Sequence, residues 1–260
     1  MPLVAITREM GAMGTAIANA LADRLSVPVV HHEIIDHLAD KMRVRKSHVV
    51  RFLEGATGFI EKLTADNTSI AIFNASELLE FASLSSGVIL RGWGAAQLLR
   101  PVGHAVRVRI CAPFEVRVER MMQRLQSDDR AHVEREIRMS DAAHGAIVRR
   151  FFDIDWQDAS YYDIVLNTAR LDVDRCVDMI ETLVRAPRFA ETEATLRTLN
   201  DMKIEARIRA ALRADPVTRN ARPEIRAKDG CVMFATAAND DVLRVVKAVE
   251  GVQSVEFAGL

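Results

Sequence analysis

The stretch PLVAITREMGAMGTAIANALADRLSVPVV, from Pro2 to Val30, decides the fold of this chain. It begins with an apolar run typical of a buried β-strand and continues through a loop that holds Gly11 and Gly14. The apolar spacing of an amphipathic helix follows, and then a second short apolar run. A strand, a glycine-containing loop, a helix and a strand in this order predict the opening of a phosphate-binding α/β domain.

The loop T-R-E-M-G-A-M-G-T has the frame of a phosphate loop but lacks its usual lysine. In the pattern G-x-x-x-x-G-K-[ST], backbone N–H groups at a helix N-terminus point at phosphate oxygens and the lysine adds charge. Gly14 stands at the lysine position. We expect Arg8 to supply the missing charge and the Thr15 hydroxyl to lie near a metal ion. The residues expected to cradle phosphates are Gly11, Ala12, Met13, Gly14 and Thr15. A strand-to-helix turn that binds nothing is the alternative.

Beyond this opening, apolar strands alternate with helices as far as about residue 185. Strands are predicted over 87–90, 104–113 and 162–168, and helices within 33–85 and over 114–126, 132–152 and 173–184. Because strands separated by helices pair in parallel, the pattern predicts an α/β fold whose mostly parallel sheet carries helices on both faces.

From Asn200 the pattern changes to a helix, a hairpin turning at Asp229-Gly230, a second helix and a last strand. This α-β-β-α-β order in about sixty residues predicts a separate small α+β domain. We therefore predict a first domain over residues 1–185, a linker over 186–199 and a second domain over 200–260.

Charge and cysteine content indicate which partners and which cellular compartment to expect. The 260 residues carry a formal net charge of −1 and no long basic block, which argues against a nucleic-acid partner. The three cysteines are scattered without metal or redox spacing, as expected of a reduced compartment. With neither a signal-peptide pattern nor an apolar run of the ~20 residues that a membrane span needs, we expect a cytoplasmic protein.

Four blocks of the sequence together resemble the cytidylate-kinase-like family of P-loop proteins. The opening resembles the family's S-R-E-aromatic-G-S-G-G loop, its helix ending in L-A-x-x-L, and its D-K-E-I-I segment, here HHEIID from His31 to Asp36. VILRGWGAAQLLR is similar to the family's I-V-G-R-G-A segment. The remaining blocks are VRICAPFEVRVERMMQR and EIRMSDAAHGAIVRRFFDIDWQDASYYDIVLNTARL. Together the blocks cover residues 1 to about 185.

The resemblance implies a P-loop kinase-type parallel sheet with a helical acceptor-binding insert and an arginine-bearing lid. It implies transfer of the γ-phosphoryl group of ATP, with Mg²⁺, to a nucleoside monophosphate such as CMP or to another small acceptor. The arginines assigned to charge neutralisation are Arg117, Arg120, Arg149 and Arg150. The residues assigned to the acceptor are His32, Arg91 and Trp93. A solvated helix face paired with nearby glutamates is the alternative for each arginine.

Several positions depart from the family pattern. Thr15 and Trp93 stand where the family has arginines, His32 where it has aspartate, and His144 where it has a lid arginine. Arg91, two residues before Trp93, is a possible substitute. Because each change removes charge that a transition state would use, a nucleotide-binding sensor or scaffold without efficient catalysis stays open as the alternative.

The C-terminal segment resembles a BON domain. The similarity rests on the helix stripe of IEARIRAALRADP, the Asp229-Gly230 turn and Gly251-Val252, although Thr236 stands at a family glycine. BON domains are associated with membrane surfaces or small ligands, usually without catalysis. The resemblance implies a regulatory or assembly role, with a protein partner or a membrane surface as the contact.

Overall fold

The computed structural model describes residues 1–30, 64–92 and 94–258. His32, Trp93 and the predicted helices before residue 64 lie outside these residues. The strands are β1 Leu3–Arg8, β2 Val29–Val30, β3 Val88–Arg91, β4 Ala105–Cys111, β5 Ile164–Asn167, β6 Ile225–Lys228, β7 Cys231–Phe234 and β8 Ser254–Phe257. The helices are α1 Gly14–Leu25, α2 Thr64–Ala82, α3 Ala95–Leu98, α4 Phe114–Leu125, α5 Arg130–Phe152, α6 Val173–Val184, α7 Glu193–Ala214 and α8 Asp240–Lys247.

The first five strands form one parallel sheet in the order β2-β3-β1-β4-β5, which confirms the predicted α/β fold. Successive residues of β1 enter opposite hydrophobic clusters: Leu3 and Ala5 belong to one, and Val4 and Ile6 to the other. Both faces of the central strand are therefore covered, as its continuous apolar run predicts. The carboxyl end of β1 delivers the glycine loop to the middle of the sheet edge.

Different helices cover the two faces. α1 and α6 pack on one face, where Ile17 and Leu21 meet Cys176 and Ile180. α2 and α3 contribute to the cluster on the other face. The predicted helix α6 has the bounds that the sequence gives it, and α2 lies within the region 33–85 in which helices are predicted.

Helix α7 is shared between the two parts of the fold. It begins at a capping box in which Thr192 and Thr195 satisfy each other's backbone N–H groups, within the predicted 186–199 linker. Leu199, Ala206 and Ala210 join the cluster under the parallel sheet. The opposite stripe, which consists of Ile204, Ile208 and Leu212, belongs to the core of the small C-terminal sheet. One continuous helix therefore supplies both cores.

The second sheet has the order β6-β7-β8, with β6 antiparallel and β8 parallel to β7. Asp229 and Gly230 both have positive φ, 49° and 81°, at the hairpin between β6 and β7. Both central residues of a type I′ turn need this conformation, so the predicted hairpin is confirmed. Within the described ranges, no helix combines the length and the apolar character that crossing a membrane requires.

Candidate functional site

The glycine loop lies between the end of β1 at Arg8 and the first residue of α1 at Gly14. Gly11 and Met13 adopt left-handed backbone conformations, with φ of 81° and 64°. A Cβ built on Gly11 would lie 2.8 Å from the carbonyl oxygen of Arg117, and one on Gly14 only 2.6 Å from Cβ of Arg8. Glycine is therefore required at both positions by close contact, and the loop backbone is held against its two arginine neighbours.

No side chain caps the N-terminus of α1. The first N–H groups of a helix have no partner within the helix, and together with the helix dipole they favour an anion. This end of a twelve-residue helix therefore presents donors at the centre of the sheet edge, as the sequence predicts for a phosphate site.

Two arginines add positive charge beside these donors. Arg8 packs over Gly14, and Arg91, at the end of β3, donates from Nη1 to the hydroxyl of Thr15 at 2.7 Å. Arg91 is only 8% exposed. Its burial, followed by repulsion from the nearby Arg8, lowers its pKa to about 10. A site that concentrates positive charge to this degree favours a polyanion.

The residues of this site fit phosphate groups better than they fit Mg²⁺. The Thr15 hydroxyl, predicted to lie near the metal, accepts a hydrogen bond from a guanidinium. Across the described residues, no group of three acidic, histidine or cysteine side chains could hold a metal ion. Coordination of a metal ion by the Thr15 hydroxyl stays a prediction.

Arg117 belongs to a buried ion-pair network behind the loop. Its Nη2 lies 2.9 Å from Oδ2 of Asp141 on α5, and its Nε donates to the carbonyl of Ala112 at 3.1 Å. Glu9, inside the loop, accepts from Arg109 Nη2 at 2.6 Å and lies 3.4 Å from Arg117 Nε. The network ties the loop to α4 and α5, so these side chains hold the loop in place. Phosphate contact by Arg117 stays a prediction.

Arg120 is linked to the glycine loop through Thr168. Its two Nη atoms donate to the hydroxyl and the carbonyl of Thr168, at 2.9 and 2.7 Å. The Thr168 hydroxyl lies 3.3 Å from the carbonyl oxygen of Ala12. These contacts bring the end of β5 against the loop, and the predicted catalytic role of Arg120 is untested by them.

Arg149 and Arg150 lie exposed in the last turn of α5. Neither forms an ion pair within the part of the chain that the structure describes, although Arg150 stacks on the Phe151 ring at 5.6 Å. Both side chains are accordingly accessible to a ligand. Their assignment to the transferred phosphoryl group stays a prediction.

His144, which stands at a predicted lid-arginine position, is held neutral. Burial lowers its pKa to about 4, and the charges of Arg8 and Arg109 add to the effect. Its ring packs edge-on against Trp156, with centroids 4.5 Å apart. This position therefore supplies an uncharged imidazole close to the loop arginines, where the family pattern supplies a cation.

Sequence reasoning missed Glu9, Arg109 and Asp141 as partners that fix the loop. The available signal was the run VRVRIC over β4, because a charged side chain within a strand buried on both faces needs an ionic partner. The partner could not be identified, since Glu9 lies 100 residues away in sequence.

Comparison with known proteins identifies relatives of this chain. A model of the cytidylate kinase-like family matches residues 3–170. A cytidylate kinase of Methanothermobacter thermautotrophicus is 27% identical over 173 residues, which are 66% of this chain and 98% of that protein. One of Methanococcoides burtonii is 25% identical over 185 residues, 71% of this chain and 97% of that protein.

A solved structure shares the fold. The crystal structure of an uncharacterized protein from Eubacterium ventriosum superposes with a TM-score of 0.56 at 20% identity, covering 72% of this chain and 99% of that one. The family match ends before α6, so that α7 and the second sheet lie outside it.

Proposed function

Because the chain belongs to the cytidylate kinase-like family, we propose that it transfers the γ-phosphoryl group of ATP to a nucleoside monophosphate, with CMP as the first candidate, or to another small acceptor. In this reaction the bond between the γ-phosphorus and the β–γ bridging oxygen breaks, a bond from phosphorus to an acceptor oxygen forms, and ADP leaves with the electron pair. Such transfer needs positioning and positive charge more than covalent chemistry from the protein.

The observation that carries the proposal is the convergence of Arg8 and Arg91 on the loop. The N–H groups of residues 11–15 bind phosphate oxygens. The two guanidinium groups neutralise the negative charge of the phosphates, which a P-loop lysine would otherwise do. Arg91 donates a hydrogen bond to the Thr15 hydroxyl in the ligand-free chain. A bound phosphate would attract its guanidinium group, and the Thr15 hydroxyl would then be available to hold Mg²⁺. Mg²⁺ bound there would supply further charge neutralisation.

The lid arginines provide the kinetic test. Arg149→Ala and Arg150→Ala should each lower kcat for CMP-dependent ADP release at least tenfold, because a lost charge contact in the transition state costs on the order of 10²-fold in rate. Their free energies of unfolding should stay within about 0.5 kcal/mol of wild type, as for other exposed substitutions. Arg135→Ala, exposed on the same helix, is the matched control and should keep wild-type turnover. Unchanged turnover in both lid variants would remove these residues from the site.

For the C-terminal part, we infer a BON-like second domain over about 200–260, joined through 186–199 to the first domain over 1–185. The order of α7, β6, β7, α8 and β8 supports it. A regulatory or assembly role, with a protein partner or membrane surface, is proposed for it. Co-sedimentation of the full chain with anionic phosphatidylglycerol vesicles tests the membrane contact, and the chain staying in the supernatant would contradict it.

A further inference from the structure

A largely apolar cavity of about 300 Å³ lies between α2, α5 and α7. Among the side chains that line it are Ile72, Leu79, Ile147, Phe151, Phe152 and Met202. A cavity of this volume is within the range of small-molecule sites, which are typically apolar with a few polar groups.

One end of the cavity adjoins the phosphate site. Gly94, in the turn that follows β3 and Arg91, lines it, and a Cβ built there would lie 2.8 Å from Cε2 of Phe152. His144 also lines the cavity, and the charges of Arg8 and Arg109 act on its ring. The charges that act on the end nearest the loop are therefore positive. The rest of the lining is largely apolar, and its two charged side chains, Arg209 and Glu205 of α7, form an ion pair with each other.

His144 gives a second indication of a ligand. Its Nε2 atom is buried and has no hydrogen-bond partner in the described part of the chain. A buried polar atom left in this state costs on the order of 1–3 kcal/mol. Each such atom in a folded protein calls for an explanation, and a bound water, ion or ligand is one.

The outer wall comes from α7, which lies beyond the family match. Met202, Ala206 and Arg209 of this helix line the cavity. The helix is fixed against α2 by the Arg207–Glu80 ion pair, with Nη2 and Oε2 2.8 Å apart, and by a hydrogen bond from Arg213 to Ser69. The C-terminal part of the chain therefore forms a fixed wall of this cavity.

We propose that the cavity binds a small amphiphilic anion, with its apolar body against α2, α5 and α7 and its anionic group toward Arg8. The role of this anion rests on the proposed function, in which it is the phosphoryl acceptor. Acceptor selectivity is then set partly by α7, so that the C-terminal part completes the acceptor site of the first domain.

The probe for this proposal is 1-anilinonaphthalene-8-sulfonate, an apolar body with one anionic group, followed by fluorescence titration of the full chain. Ala75→Phe and Ala206→Phe place a ring into the cavity from two different helices, α2 and α7. Ala146→Phe is the matched control, because Ala146 is exposed on α5 and lies by helical spacing on the face opposite His144 and Phe151.

We expect one saturable site in the wild type and at least tenfold weaker binding in both filling variants. The control should stay within twofold of wild type, and the uncharged analogue N-phenyl-1-naphthylamine should bind at least tenfold more weakly than the sulfonate. Filling variants that are folded by circular dichroism and bind like wild type would overturn the site. Equal affinity for the uncharged analogue would overturn the anionic class, and a wild type that binds no probe would overturn both.

The acceptor role is tested separately. In CMP-dependent turnover the probe should raise the KM for CMP and leave the KM for ATP unchanged, and competition with ATP would overturn the placement. MgATP should bind all three variants like wild type. If the wild-type chain bound no MgATP, the proposed function and the acceptor role would both fail. The fluorescence titration with the probe would still decide whether the cavity binds an amphiphilic anion.

Discussion

Replacing Arg91 by methionine should weaken MgATP binding without lowering the stability of the fold. The change keeps most of the side-chain volume and removes the charge and the hydrogen bond to Thr15. Burial and the charge of Arg8 lower the pKa of Arg91 from its ordinary value of 12.5 to about 10. At about 1.4 kcal/mol per pKa unit, holding this charge without phosphate costs roughly 3 kcal/mol.

Folding stability and MgATP affinity are expected to respond differently to this change. Losing the charge relieves this cost, while losing the Thr15 hydrogen bond removes on the order of 1.5–3 kcal/mol, as for a bond to a charged group. The free energy of unfolding of the ligand-free variant should therefore equal or exceed that of wild type within about 1 kcal/mol. MgATP affinity should fall roughly tenfold to hundredfold, because a charge-assisted contact to phosphate is lost.

Urea denaturation at pH 7 measures the stability and titration calorimetry measures the affinity. Arg188→Met removes one positive charge from an exposed position and should leave both unchanged. A variant of Arg91 that lost several kcal/mol of stability yet bound MgATP like wild type would refute the reasoning, because Arg91 would then be structural.

Three further changes probe the loop and its support. Gly14→Ala should weaken MgATP binding at least tenfold in calorimetry, because the new Cβ would lie 2.6 Å from Cβ of Arg8 and force the loop to move. His144 is neutral when folded, and the unfolded chain takes up a proton below its ordinary pKa of 6.5. Wild-type stability in urea should therefore fall by about 2 kcal/mol more than that of His144→Phe between pH 7 and pH 5. Asp141→Asn should cost on the order of 1.5–3 kcal/mol in urea denaturation, since the buried Arg117 loses its charged hydrogen-bond partner and keeps only the more distant carboxylate of Glu9.

Each of these changes has its own contrary outcome. Gly103→Ala meets only a methyl group of Thr195 at 3.2 Å and should keep MgATP affinity, so equal losses in both glycine variants would point to general instability. Parallel pH profiles of wild type and His144→Phe would contradict a neutral buried imidazole. Asp128→Asn, at an exposed position, should change stability by less than about 0.5 kcal/mol. A similarly small effect for Asp141→Asn would mean that its ion pair does not hold the loop.

Local sequence patterns predicted the first strand and the glycine turn that follows it. The apolar run of β1 indicated a strand covered on both faces, and its alternate residues do enter two different clusters. The spacing of Gly11 and Gly14 indicated a tight strand-to-helix turn, and close contacts require glycine at both. These features depend on neighbours within one or two elements, which a sequence displays directly.

Long-range partners were beyond this reasoning. The family resemblance assigned Arg117 and Arg120 to charge neutralisation, but their partners Asp141 and Thr168 come from other elements. The stripe of Ile204, Ile208 and Leu212 predicted only half of α7, because the small residues of the other face, such as Ala206, become core only through packing on α2.

Calorimetric titration of the wild-type chain with MgATP, alone and in the presence of CMP, decides whether the glycine loop is a working nucleotide site without a lysine. We expect saturable binding of one MgATP, weakened at least tenfold by Arg91→Met and strengthened by CMP if CMP is the acceptor. MgATP binding that CMP leaves unchanged would direct the search to another acceptor. No MgATP binding in either titration would contradict the account and leave the loop as a structural turn.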